Sequence, residues 1–373
     1  ANTEKINMVT LPLGLACIAQ ATRDAGHETA IVDLVGSGDD MSGLDDALRG
    51  GCSDVVGISV RNIDDLVMQG GRFLLERTRD VVQRCKQLST APVVLGGAGY
   101  SIFPEHALRY LGADLGIQGE GETAFPLLLD KIQHGGGLSG VAGLYVNEGS
   151  SVEKAYDADL DSHALPEKDV WSPPAAEDQE IWMPVQTRRG CPMGCSYCST
   201  PAIEGHVIRK RSPSDVAHWI RHWVEEGYGN FFFVDNTFNL PTSYAKQLCR
   251  EIKSNAPGIK WRCIVYPYKV DEELVALMAE AGCVQVSLGF ESGSDRMLRA
   301  LKKKFSPDDI VRSVGLLKDN RISIMGFLLL GGPGETMQTV HESLSFADSL
   351  SLQAVKVTAG IRIYPDTPLA WTA

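Results

Sequence analysis

Two α/β domains are predicted: a doubly wound parallel sheet at the N-terminus, then a partial (β/α)6 barrel of the TIM type. Three observations carry the prediction. Short, continuous apolar runs alternate with helix-periodic segments over residues 12–146, as strands do when crossover helices bury both faces of a sheet. Residues 147–183 then break the pattern with a stretch rich in Asp, Glu, Ser, Pro and Ala, which reads as a linker. From residue 184 the alternation resumes with six strand positions, each but the last followed by a helix. The expected domains are therefore 1–146 and 184–373, joined by 147–183.

In the first domain Pro12 can open a helix running to about Gly26, since proline suits the first helical turn. Apolar runs at 29–34, 54–60, 92–95 and 113–117 are the strands, and the longest helix pattern covers 63–88. Sheets of this kind begin with an apolar strand, whereas residues 1–11 look like the loop after one. The natural protein is therefore expected to hold further residues upstream, because a missing central strand leaves its neighbours with unpaired backbone groups. Ligands in such sheets bind beyond the carboxyl ends of the strands. The loops there contain Ser59, Arg61 and Asn62, then Gly96 and Gly97, then Gly119, Glu120, Gly121 and Glu122. Glycines admit a bulky ligand to the backbone, and a helix start offers free N–H groups to a phosphate.

In the second domain strands are expected at 181–185, 230–234, 260–265, 284–290, 323–330 and 355–363, with helices at 213–226, 241–254, 271–281, 294–302, 307–319 and 335–349. Chemistry in barrels of this type sits at the C-terminal strand ends. Those ends carry Asp235 and Asn236, Glu291 and Ser292, the turn from Gly331 and Gly332 to Glu335, and Arg362 to Tyr364. Tyr100, Tyr266 and Trp261 are further aromatic residues near strands, a position that more often means core.

The loop after the barrel's first strand holds Cys191, Cys195 and Cys198 in a C-x3-C-x2-C spacing, with Gly190 and Gly194 allowing a tight fold. Three thiolates so close can wrap one face of an iron–sulfur cluster. A structural zinc site is the alternative, but closed zinc sites take four ligands, and the nearest further candidate is His206. The other six cysteines are scattered in apolar or helical context, which fits reduced thiols in a cytosol and not a disulfide framework. A net charge of −12 argues against a nucleic-acid scaffold, and the short basic runs at 209–211 and 302–304 read as solvated faces or loops. No uninterrupted apolar stretch is long enough for a transmembrane segment.

The cysteine loop, with Tyr197 before its third thiol, resembles the signature of the radical S-adenosylmethionine (SAM) superfamily. That resemblance implies a [4Fe-4S] cluster whose fourth iron is open to SAM. It also implies that SAM lies against Asp235, Asn236, Glu291, Ser292, Gly331, Gly332, Arg362 and Tyr364. Residues 12–146, through Leu13-Gly14-Leu15-Ala16 and the three loops, resemble the cobalamin-binding domain joined to many such enzymes. Gly96, Gly97, Gly119, Glu120, Gly121 and Glu122 would then hold the nucleotide tail, and Ser59, Arg61 and Asn62 would lie beneath the corrin.

One departure is that the D-x-H-x-x-G motif is absent. Asp24-Ala25-Gly26-His27 has the wrong spacing, so that motif supplies no histidine to cobalt. A dinucleotide or flavin is the rival ligand, but no G-x-G-x-x-G follows a strand at the right place. The resemblance implies reductive cleavage of SAM to a 5′-deoxyadenosyl radical and, first, methylation of an unactivated carbon. A radical oxidation, coupling or rearrangement without methyl transfer is the second expectation, and a non-catalytic cobalamin or metal sensor the third. The phrases at 60–64, 97–104 and 117–120 also resemble a subgroup labelled lipid-biosynthetic. The implied partners are a small-molecule or lipid substrate and an external electron donor of flavodoxin or ferredoxin type, in the cytoplasm. Family members continue past the position of Ala373 with a segment that helps close the substrate pocket.

Overall fold

A computed structural model describes residues 11–34, 40–50, 53–65, 71–146, 153–171 and 181–372. The N-terminal sheet has the order β1-β2-β3-β4, with β1 at Val56–Ser59, β2 at Val93–Gly96, β3 at Leu115–Ile117 and β4 at Leu144–Val146. The first three are parallel, in a register that sets Ile58 opposite Leu95 and Val94 opposite Leu115. Val93, Val94 and Leu95 are buried in succession, the mark of a strand covered on both faces. Helices at Leu13–Asp24, Leu75–Leu88, Pro104–Leu111 and Ala124–Gln133 supply the cover.

Four details depart from expectation. Residues 29–34 are extended but form no strand, because no described segment offers them a ladder; Val32 and Leu34 still pack on the core. The helix expected over 63–88 begins only at Leu75, after an isolated antiparallel bridge between Asp64 and Phe73. Strand β4 is not among the expected strands; it pairs antiparallel to β3 and is too short for a periodic signal. The described part of the expected linker, residues 153–171, is anchored to the first unit. Leu160, Val170 and Trp171 are buried, Arg23 pairs with Asp169 at 2.6 Å, and the Glu167 N–H donates to Gln20 Oε1. Contacts divide the chain into Ala1–Pro173 with Ala202–Glu204, and Pro174–Pro201 with Gly205–Ala373. Residues 1–10, on which the expectation of a missing strand rests, lie outside the described residues.

In the second unit β5 (Met183–Val185), β8 (Asn230–Phe233), β9 (Lys260–Val265), β10 (Cys283–Glu291), β11 (Ser323–Leu330) and β12 (Ala354–Ala359) form one parallel sheet, ordered β12-β11-β10-β9-β8-β5. A two-residue ribbon, β6 (Arg188–Arg189) with β7 (Arg209–Lys210), brackets the cysteine loop. Along β10, Val286, Leu288 and Phe290 are fully buried, while Ser287, Gly289 and Glu291 line the half-open face. The register with β11 shifts between Gly289 and Glu291, where φ is +64°, so an irregularity at the end of β10 sets the position of Glu291. Strand β12 stops at Ala359 and not at residue 363. No described helix is long and apolar enough to cross a membrane.

Candidate functional site

The cysteine loop is built by its ends. Thr187 and Arg188, just before it, are clamped by Asp235, which is wholly buried. The Asp235 carboxylate accepts from the Thr187 N–H at 2.7 Å, the Thr187 hydroxyl at 2.7 Å and the Arg188 N–H at 3.0 Å. The Arg188 Nε lies 3.5 Å from it. Arg188 in turn donates to the carbonyls of Phe238 and Leu240 and lies over the Tyr244 ring at 4.5 Å. Burial pushes the Asp235 carboxyl up, and Arg188 and the Thr187 donors oppose that.

Within the loop, Gly190 and Gly194 sit at φ +87° and +69°, a region that excludes most side chains. The Cys191 N–H donates to Gly205 O, and the Cys198 N–H to Cys195 O. The Ser196 N–H donates to Leu301 O and its carbonyl accepts from Leu369. None of the three cysteines is in a disulfide; Cys195 is buried and the other two are half-buried. Among the described residues, no three His, Cys, Asp or Glu side chains converge tightly enough to hold a single ion. Three cysteines on one short loop are the donor set of an iron–sulfur cluster, whereas a closed zinc site takes four ligands.

Beside Cys195 lies a charged group that sequence reading missed. Lys303, from a run read as solvated, has a side chain only 4% exposed. Its ammonium donates to the Tyr197 hydroxyl at 3.0 Å and to Glu291 Oε1 at 3.3 Å. It also lies over the rings of Tyr197 at 5.2 Å and Tyr266 at 5.5 Å. Burial acts to lower the Lys303 pKa, but Glu291, Cys195 and Tyr266 outweigh it and the net shift is upward. Burial raises the Cys195 thiol, and Lys303 is the main influence against that rise. Glu291 holds its place at φ +64°, unusual for a non-glycine residue and a feature that clusters at functional sites. No local periodicity marks Lys303; only the fold brings 303 to 291 and 197.

The strand-end residues assigned to SAM thus separate. Asp235 is wholly buried and accepts three hydrogen bonds from Thr187 and Arg188, a geometry that fixes the cysteine loop. Ser292 is likewise engaged within the protein. It is buried, shares a hydrogen bond of 2.7 Å with Ser343 and accepts from the Ser294 N–H, so its hydroxyl does not face a ribose. Asn236 is half-buried and accepts from Thr200 at 3.3 Å. The Gly331 and Gly332 N–H groups are both taken by Glu335 Oε2, and a Cβ on Gly332 would meet Met297 at 2.8 Å. This turn therefore owes its glycines to internal packing. Arg362 and Tyr364 are half-buried beyond the end of β12.

In the first unit the strand-end glycines are also explained locally. A Cβ on Gly97 would lie 2.7 Å from Val60 O, and Gly97 has φ +95°. Gly99 approaches the Arg61 carbonyl as closely, and Gly121 packs under Ile18. Gly96 accepts from the Val60 N–H. Glu120 accepts from the Asp157 N–H, and Glu122 is buried. Gly119 differs: at φ +92° its nearest neighbour to a Cβ is 3.8 Å away, leaving room at the strand end. Ser59 is exposed and Asn62 half-buried. Solvent reaches Arg61, yet surrounding atoms desolvate it and lower its pKa. A cation beside an open strand-end loop fits a bulky ligand with anionic or amide groups, as cobalamin has. Tyr100 and Trp261 are core residues, both fully buried.

Comparison with known proteins agrees with both halves. Residues 185–347 match the radical SAM superfamily, and residues 1–129 match the B12 binding domain. A tryptophan 2-C-methyltransferase of Streptomyces laurentii is 25% identical over 99% of this chain and 73% of its own length. An uncharacterized methyltransferase of Pyrococcus horikoshii is 27% identical over 96% of this chain and 77% of its own. The structure of the radical SAM methyltransferase TsrM from Kitasatospora setae, with cobalamin and a [4Fe-4S] cluster bound, superposes with a TM-score of 0.87. It is 25% identical and covers 99% of this chain and 72% of that one.

Proposed function

Since the chain belongs to the cobalamin-dependent radical SAM enzymes, we propose that it transfers a methyl group from cobalamin to an unactivated carbon of a small organic molecule. The observation that carries this is the loop of three closely spaced cysteines, clamped at its entry by Asp235 and faced by a buried ammonium–carboxylate pair. When bound, the cluster and SAM supply a 5′-deoxyadenosyl radical, and cobalamin supplies a transferable methyl group. The chain's own part is to place and shield these groups. Cys191, Cys195 and Cys198 hold three irons, while Asn236 and Glu291 are the strand-end side chains left to meet SAM. Arg61 and Gly119 offer the corrin a cation and an open backbone. The Streptomyces relative is named for action on tryptophan, which makes an amino acid of that size the first acceptor to try. The electron comes from an external one-electron donor of flavodoxin or ferredoxin type.

The test needs no known substrate. Anaerobically reconstituted protein is given hydroxocobalamin, a one-electron reductant and methyl-labelled SAM. Label is expected on cobalamin first, and then on a carbon of an accepted substrate, tryptophan being the first added. Accumulation of 5′-deoxyadenosine while cobalamin stays unlabelled overturns methyl transfer in favour of a radical reaction that moves no methyl group.

A further inference from the structure

Lys303 does more than fill space behind the cysteine loop. A primary ammonium this deeply buried is costly unless neighbours offset it. Its partners are specific: Glu291 Oε1 at 3.3 Å, the Tyr197 hydroxyl at 3.0 Å, and the faces of Tyr197, Tyr266 and Phe305. Tyr197 lies between two of the three thiols in sequence, so the ammonium grips the loop at its metal-binding turn. The aromatic faces exclude water there, which keeps the effective dielectric low and the charge influential. Glu291 is held at a strained φ to complete the pair. The backbone supports the same geometry, since the Lys304 N–H donates to the Tyr266 hydroxyl at 3.0 Å and Lys304 Nζ to the Pro192 carbonyl at 3.3 Å.

We propose that Lys303 is a positioning and charge-balancing residue for the cluster: its buried ammonium, held by Glu291 and Tyr197 beside Cys195, favours the reduced form and raises the reduction potential. The step is a one-electron one. An electron from the external donor enters the cluster, its net charge becomes more negative by one, and no bond forms and no proton moves. A fixed cation close to the thiolates stabilises that added charge, and charges and hydrogen bonds around the ligands are established levers on such potentials. Glu291 acts in the opposite sense, trimming the field of the cation it anchors. This rests on the cluster assignment, and the experiment keeps the two separable.

The full chain is reconstituted anaerobically as wild type, Lys303→Met, Lys303→Arg and Glu291→Gln. Each is assayed for iron and sulfide and titrated without SAM, with the reduced-cluster EPR signal as readout. Lys303→Met is expected to keep its iron and to lose about tenfold in the equilibrium constant for one-electron reduction, a downward shift of ~59 mV. Lys303→Arg stays near wild type, and Glu291→Gln shifts upward. A role in packing alone would move the Met and Gln variants the same way or not at all, and either result overturns the proposal. If Lys303→Met cannot hold iron, the sign of the Glu291→Gln shift decides alone: upward supports the proposal, downward or zero overturns it. Wild type without iron sinks the cluster assignment itself, a different failure from an unmoved potential.

Discussion

Asp235 and Glu291 look alike in sequence, each a carboxylate at the end of an apolar strand, and the fold gives them opposite work. Asp235 is sealed: every bond it makes is to protein, and those bonds set where the cysteine loop begins. Glu291 keeps a side chain 15% exposed and faces the loop's interior through Lys303. The difference comes from the path of the chain beyond each strand. After β8 the chain turns back over Arg188, which brings a guanidinium and two backbone donors onto Asp235. At the last residue of β10 the backbone enters the left-handed region, and the Glu291 carboxylate meets the Lys303 ammonium. One carboxylate is architecture and the other is exposed to chemistry.

The sharpest way to break that contrast is Asp235→Asn. It leaves Arg188 buried without a countercharge, which costs about 3–5 kcal/mol. The apoprotein's urea midpoint should fall accordingly. The double variant Asp235→Asn/Arg188→Met should recover more than half of the loss, because it removes the stranded cation too. A loss under ~1 kcal/mol for the single change, well below the cost of stranding a buried charge, would mean that Asp235 does not clamp the loop.

A smaller effect separates Ser292 from its neighbour. Ser292→Ala takes from the buried Ser294 N–H its acceptor and from the Ser343 hydroxyl its Ser292 bond, leaving that hydroxyl only the Gly293 N–H. That costs about 2 kcal/mol and should leave SAM binding to the folded protein unchanged by equilibrium dialysis. A large loss of SAM affinity with no change in stability would return Ser292 to the binding site.

These assignments mark how far the sequence is legible. Strands 260–265 and 323–330 are legible to the residue: the first alternates Lys260 and Arg262 with the buried Trp261, Cys263 and Val265, and the second is an apolar run that ends at Gly331-Gly332. The three cysteines are legible from spacing alone. Lys303 is not, since a lysine between two lysines looks solvated in one dimension and its burial is a property of three-dimensional neighbours. The clamp role of Asp235 is hidden for a related reason: strand-end position says that a carboxylate lies near the site, and only its donors show what it holds. Residues 29–34 show the limit for strands, where the apolar run is present but no described neighbour completes a ladder.

The smallest predicted effect isolates the backbone at Glu291. Glu291→Ala and Glu291→Gly both delete the carboxylate and both leave Lys303 unpaired, so those losses cancel when the two variants are compared. What remains is the positive φ of 64°. A side chain there costs about 1–2 kcal/mol, whereas glycine brings a conformational entropy penalty of about 0.5–1 kcal/mol on folding. The steric term is the larger, so the glycine variant should be more stable by roughly 0.5–1 kcal/mol, within reach of paired urea titrations. If alanine were equally stable or better, the backbone at 291 would be relaxing once its side chain is gone. The left-handed turn would then be a consequence of the Glu291–Lys303 pair, and the open-facing carboxylate would owe its aim to the lysine and not to the strand.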